Sequence, residues 1–462
     1  MDFSQLRAEA ERFAARHEQE IVSDIARLVA VKSVRGTPEP GAPFGPGPRA
    51  ALREGLALAA ERGLAAEDLE VMGRAFVPGT GTKTVGMIAH LDVVPEGSGW
   101  DTDPYLLTER EGWLLGRGVA DDKGPAVLAL WAAKFFADLP QRPRHGIEVL
   151  LGTAEETGME DLSSYLASHP APDFAFTPDA AFPVCNGEKG GFGGEFVSGP
   201  LDGVLRDFEG GLAANVVPDH AFAVVALPAE KLPAAEGITV TAVSGGARLE
   251  ATGIAAHASA PEGSRSAIGM IASYLLENQL AAGKERAALE LIRDLAISCD
   301  GALLGIAARD DVFTPLTIIG GQIRMEDGAL IQNLDCRYPT SITGDEITER
   351  LSQRAAAAGM VLRGVRVNPP FYIAPDAPPI LALRSTYHDL TGKSDAPFTM
   401  GGGTYARHLP CAVSFGVEEE GLEHPPFVGR IHGANEGFPR KKLLDGLVIF
   451  ICALGRLMEI DL

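Results

Sequence analysis

The stretch IEVLLGTAEETG, Ile147–Gly158, is a short apolar run that stops on two adjacent glutamates. A run of this length reads as a buried strand, so Glu155 and Glu156 stand at a strand's carboxyl end. Like charges repel, and one carboxylate of such a pair resists ionising. The plain reading is a polar loop after a buried strand, but other segments repeat the pattern. TVGMIAH (Thr84–His90) is apolar and ends on His90, with Asp92 two residues later. PDFAFTPDA holds a short strand around Phe174–Phe176, followed by Asp179. CAVSFGV (Cys411–Val417) is a further buried strand. GPAVLALWAAKFFADL (Gly124–Leu139) reads as a helix, with Pro125 in the first turn, where a missing N–H costs little. Strand–helix–strand order with strands apolar on both faces predicts an α/β fold with a mainly parallel sheet.

The chain has 462 residues, more than one ordinary core holds, so two or more domains are expected. The texture changes after NGEKGG (Asn186–Gly191). Alternating strands such as HAFAVVAL and GITVTAV then mix with helices such as SAIGMIASYLLENQLAA (Ser266–Ala282). This predicts an inserted α+β domain over residues 190–376. It interrupts an α/β domain made of residues 1–189 and 377–462. The second piece opens with the helix PILALRSTYHDLTG and closes with the helix GFPRKKLLDGLVIFICALGRLME. At the start, Phe3, Leu6, Ala10, Phe13 and Ala14 fall at helical spacing, and charges run throughout. An amphipathic first helix is expected there, not a signal peptide.

The formal charge is −22, from 40 basic and 62 acidic side chains. That balance disfavours nucleic acid and anionic membranes as partners. No apolar run is long enough to span a bilayer. The five cysteines form no CxxC pair, which suggests reduced thiols in a cytoplasm.

Five segments end in unusual polar residues. They supply His90 and Asp92, Asp121 and Asp122, Glu155 and Glu156, Asp179, and His432 just before the last helix. In open α/β sheets, ligands bind outside the carboxyl ends of the strands, so these segments are expected to meet at one crevice. Two histidines with several carboxylates form a donor set for Zn²⁺, which accepts nitrogen and oxygen ligands. Taken singly, each fragment has a plainer reading: a hydrogen-bonded His–x–Asp pair, a tight turn at GGGTYAR (Gly401–Arg407), or a phosphate loop at GRGVADDKGP. The last lacks the Lys–Ser/Thr ending of a P-loop, and its acidic pair repels phosphate.

HLDVVP, GRGVADDKGP, TAEETG, PDAAFP, GGGTYAR and HGANE, in this order, resemble the co-catalytic metallopeptidase family of aminoacylases, carboxypeptidases and carnosinases. FPVCNGEKGGF and GGGTYAR are most similar to its bacterial dipeptidase V branch, the Xaa-His or β-alanyl dipeptidases. The resemblance implies two divalent ions, Zn²⁺ in first place with Mn²⁺ or Co²⁺ as alternatives, bridged by Asp121. It implies His90 and Asp179 on one ion, Glu156 and His432 on the other, and Glu155 as general base. Asp92 would orient His90 as a carboxylate behind the ligand, and Asp122 would be structural. From the insertion, His257 would bind the oxyanion of the tetrahedral intermediate, Asn215 would contact substrate, and Arg337 would take the substrate's terminal carboxylate. Gly402, Gly403 and Thr404 would line the substrate site. The implied activity is hydrolysis of short peptides by a monomer, with a homodimer as alternative. An N-acyl-amino-acid amidohydrolase using the same site is the rival.

Overall fold

The computed structural model describes residues 2–419 and 421–462. The chain forms two compact units, one of Met1–Gly187, Tyr372–Phe398 and Gly403–Leu462, the other of Glu188–Phe371 and Thr399–Gly402. No helix among the described residues is long and apolar enough to cross a membrane.

The first unit is α/β. Its sheet has a parallel centre. Gly146–Gly152 pairs in parallel with Thr84–His90, which pairs in parallel with Phe174–Thr177, which pairs in parallel with Ala412–Ser414. Gly73–Val77 joins the Gly146–Gly152 side antiparallel, and Ala65–Asp68 pairs antiparallel beyond it. Every residue of Gly146–Gly152 and of Phe174–Thr177 is buried, as expected for strands covered on both faces. The register sets His90 beside Gly152 and Ser414 beside Thr177. The four parallel strands therefore release their chains at one edge of the sheet.

Helices cover this sheet. Lys123–Ala137 buries almost its whole length, and the closing helix Arg440–Leu457 packs against it. Phe3–Val29 packs on both. It starts with a capping box in which Asp2 accepts the Gln5 N–H. Its buried Asp24 is held by Arg62 at 2.7 Å and by the Trp131 indole N–H at 2.9 Å. Between sheet and closing helix lies an aromatic cluster. Phe415 meets Phe182 at 4.8 Å and Phe176 at 5.6 Å between ring centroids, both edge-to-face.

The second unit is α+β, with an antiparallel sheet. Met360–Asn368, Gly190–Pro200, Ala329–Tyr338 and Ile323–Glu326 make one half, and Leu205–Gly210, His220–Val225, Gly246–Thr252 and Ile238–Val243 make the other. Its helices are Ala267–Glu277, Gly283–Ile297 and Gly344–Ala357. The single helix expected over Ser266–Ala282 stops at Glu277. Gln279 takes φ +54° and the Leu280 N–H turns back to the Leu275 carbonyl at 2.9 Å. This Schellman-type closure ends the helix without a glycine, so no residue-type signal marked it.

Phe415→Ala is expected to destabilise the first unit by about 3–5 kcal/mol, since a fully buried aromatic leaves a cavity that its neighbours fill only in part. Urea unfolding followed by near-UV circular dichroism measures it; a loss below about 1 kcal/mol means the cluster does not carry the core.

Candidate active site

The sheet edge collects the polar residues that the sequence singled out. His90 is the last residue of its strand, and only 1% of it is exposed. Its Nε2 lies 2.9 Å from Asp121 Oδ1 and 3.8 Å from Asp179 Oδ2. Its Nδ1 lies 3.0 Å from the Asp92 carbonyl oxygen and 3.5 Å from the Asp92 carboxylate. The other Asp121 oxygen lies 2.9 Å from Nε2 of His432, which is also 3.2 Å from Glu156. One carboxylate thus touches two imidazoles, one on each oxygen. His432 sits in the left-handed region at φ +63°. Donor atoms of His90, Asp121 and Glu156 fall within 4.8 Å of one another, as do those of His90, Glu155 and Asp179.

Asp92 does more than face an imidazole. Its two oxygens accept the backbone N–H groups of Glu155 and Glu156, at 3.1 and 3.2 Å. That fixes the turn Glu155–Thr157. Asp122 is fully buried, and one of its oxygens accepts the His90 N–H at 3.1 Å.

Three residues that sequence reasoning passed over hold the frame. Asp161 accepts the Thr153 and Ala154 N–H groups at 2.6 and 3.0 Å, just ahead of Glu155, and Tyr405 donates its hydroxyl to the same oxygen. Gly152 leaves room for that tyrosine, because a Cβ there would stand 2.0 Å from the hydroxyl. Glu436 accepts the Asp121 N–H at 3.3 Å. Tyr405 and Glu436 lie inside GGGTYAR and HGANE, so the motifs contained them, but nothing local pointed to partners hundreds of residues away.

In the second unit, Asn215 and His257 come together. Asn215 Nδ2 is 3.3 Å from His257 Nε2, and His257 Nδ1 is 2.7 Å from the Ser259 hydroxyl. Arg337 forks onto Asp335 at 2.9 and 3.2 Å. Gly402 belongs to this unit, whereas Gly403 and Thr404 belong to the first. There Thr404 accepts the Ala406 N–H and lies 3.2 Å from the Ser414 hydroxyl.

The electrostatics follow from crowding. Burial raises the Glu155 carboxyl well above its ordinary value, and the charge of Asp179 raises it further. Asp179 is raised well by burial and then by Asp121. Burial opposes the charged form of His90, yet its hydrogen bonds to Asp121 and Asp92 hold it well above the usual imidazole value. His432 rises to about 10 through its hydrogen bonds to Asp121 and Glu156. Among the described residues, no lysine or arginine pairs with Asp121, Glu155, Glu156 or Asp179. Four carboxylates and two imidazoles with no fixed cation fit a divalent ion of borderline softness.

Protonation gives a test. The raised groups hold more protons in the folded chain than in the unfolded one, above 4.5 for Glu155 and above 6.5 for His90. Stability of the metal-free chain should therefore fall as pH rises through this range. Ligands must lose those protons to bind a metal. Titration of Zn²⁺ in buffers of different ionisation enthalpy should show proton release throughout pH 6 to 8, because His432 keeps its proton up to about 10 in the metal-free chain. Heats independent of buffer would contradict the assignment of His90 and His432 as ligands.

Comparisons with known proteins place the chain in a family. The Peptidase family M20/M25/M40 matches residues 86–456. A Staphylococcus aureus (strain USA300) protein named "Putative dipeptidase" is 29% identical over 95% of this chain and 97% of its own length. The crystal structure of human carnosine dipeptidase 1 is similar over 98% of this chain and 100% of that one, with a TM-score of 0.59 and 17% identity. An M20 family metallo-carboxypeptidase of Sulfolobus solfataricus is similar over 96% and 100%, with a TM-score of 0.60 and 14% identity. At these identities the structural likeness is one of fold. Its sheet and a family match spanning residues 86–456 make this chain a member of peptidase family M20/M25/M40, a metallopeptidase.

Proposed function

We propose that the chain is a dipeptidase working with two divalent ions, Zn²⁺ first among them. The observation that carries this reading is the Asp121 carboxylate, 2.9 Å from His90 on one oxygen and 2.9 Å from His432 on the other. A carboxylate so shared is placed as a bridging ligand would be. His90 and Asp179 would complete one ion's ligands, Glu156 and His432 the other's. Bound there, such ions would polarise the peptide carbonyl and lower the pKa of a water.

The chain's own groups account for the proton transfers. Glu155 takes a proton from the attacking water as the oxygen–carbon bond forms. It returns that proton to the amide nitrogen as the carbon–nitrogen bond breaks, and the new acid's proton passes to the amine, so a carboxylate and an ammonium leave. Burial and the neighbouring carboxylates raise Glu155, which suits a group that must hold a proton briefly. Asp92 keeps the two glutamates in fixed relative orientation through their N–H groups. His257 is the proposed donor to the tetrahedral oxyanion. The Ser259 hydroxyl beside Nδ1 and the Asn215 amide beside Nε2 restrict its ring. Arg337 is the proposed reader of the substrate carboxylate, with Asp335 holding its guanidinium. Gly402, Gly403 and Thr404 are proposed to line the substrate site. Dipeptides, β-Ala-Xaa included, are the proposed substrates, cleaved by a monomer in the cytoplasm.

Glu155→Gln should keep its metal and lose turnover, whereas Glu156→Gln should lose metal affinity by about 10- to 100-fold. Elemental analysis and kinetics on both variants check this; swapped phenotypes would reverse the two roles.

A panel of dipeptides, their C-terminally amidated forms and N-acetyl amino acids tests the substrate. Removing a charge-assisted contact costs roughly 1.5–3 kcal/mol, so kcat/KM should fall about ten- to a hundred-fold on amidation. Arg337→Ala should remove that difference by slowing the free dipeptide alone. N-acetyl amino acids outrunning every dipeptide would replace this reading by an amidohydrolase.

A further inference from the structure

The first unit contains a buried ion pair outside the ligand set, made by Arg117 and Glu436, each 1% exposed. Arg117 Nη1 donates to Glu436 Oε2 at 2.5 Å. Their other atoms reach two separate loops of the site. Glu436 Oε1 accepts the N–H groups of Gly118, Ala120 and Asp121, at 3.0, 3.1 and 3.3 Å. Arg117 Nη2 donates to the His432 carbonyl at 3.3 Å, and to the Pro95 and Glu96 carbonyls at 3.4 Å each. The glutamate thus grips the backbone of Asp121, and the arginine grips the backbone of His432. Backbone pairing seats the glutamate, since the Gly116 N–H bonds to its carbonyl at 3.0 Å and Gly437 pairs with Leu115. Trp100 lies under the guanidinium, 5.3 Å from ring centroid to Cζ.

Two buried charges are a costly way to join loops, and an apolar pair of like volume is often as stable. A guanidinium offers what an apolar pair cannot, a planar fork that holds a carboxylate and a distant carbonyl in fixed relation. We propose that Arg117 and Glu436 are a positioning pair that sets His432 against Asp121, so that the ion held by Glu156 and His432 binds beside the one held by His90 and Asp179. The pair touches neither ion nor substrate and acts through the two ligands' backbones. This rests on the two-ion reading above.

Mn²⁺ alone is the probe, titrated into the metal-free full chain and followed by electron paramagnetic resonance, which separates coupled pairs from single ions. Arg117→Met leaves Glu436 without its partner and should lower Tm. The double variant Arg117→Met with Glu436→Gln removes both charges while keeping an oxygen for the three N–H groups, and should recover most of that Tm. It should still bind its second Mn²⁺ about 10- to 100-fold more weakly, resembling His432→Ala in stoichiometry and losing the coupled signal. Arg117→Lys keeps the charge without the fork. It should fold, and also lose the coupled signal. A double variant that regains two equally tight ions along with Tm would reduce the pair to a structural role and overturn the proposal. Equal weakening of both ions would overturn it too. A wild-type chain that binds one ion would overturn the two-ion reading, and the proposal with it.

Discussion

Mutual repulsion among buried carboxylates is the constraint around which the first unit is built. Asp121, Glu155, Glu156 and Asp179 converge on a small volume at the edge of a parallel sheet, where burial already penalises the charge of Asp121, Glu155 and Asp179. Left to themselves, such groups would move apart or take up protons. The fold prevents the first by anchoring backbone instead of side chain. Asp92 holds the N–H groups of Glu155 and Glu156, Asp161 holds those of Thr153 and Ala154, and Glu436 holds that of Asp121. Asp121, Glu155 and Glu156 are thus backed by other acidic side chains, Glu436 behind the first and Asp92 behind the other two, whose charge is spent on peptide dipoles. The arrangement keeps donors at ligand spacing before any cation arrives.

The tethers also explain the shape of the elements around them. Gly152 is a glycine because Tyr405 must pass over it to reach Asp161. The strand Gly437–Pro439 pairs with Trp113–Leu115 so that Glu436 arrives beside the loop that ends in Asp121. Packing and chemistry share residues here, and the closing helix that follows Pro439 is as much a support for the site as part of the core.

Much of this was legible in the sequence, and the reason is local. A buried strand followed at once by an ionisable residue is a short-range pattern, and it marked His90, Glu155, Glu156 and Asp179. The parallel centre followed from strands apolar on both faces. What escaped was everything that depends on distant pairing. Tyr405 and Asp161 are 244 positions apart, and Arg117 and Glu436 are 319 apart, so neither pair leaves a trace in composition or spacing. Asp92 was legible as a residue, but its hold on two backbone N–H groups was not, because a turn's geometry decides which donors face it. The break at Gln279 was hidden for a similar reason: a left-handed glutamine has no sequence signature.

The strand Ala412–Ser414 lies against Phe174–Thr177 in the middle of the first unit's chemistry, yet it is made late in the chain. A ribosome delivers His90 and both glutamates long before it delivers His432 and Glu436. At ordinary synthesis rates that interval is on the order of tens of seconds. Through it the nascent chain holds a half-built sheet with one lateral edge open and a cluster of carboxylates and His90 without its partner His432. Hydrolytic competence is therefore a property that only a finished chain can acquire. The long wait is also a period of exposure to aggregation, when an unpaired strand edge invites contact with another chain.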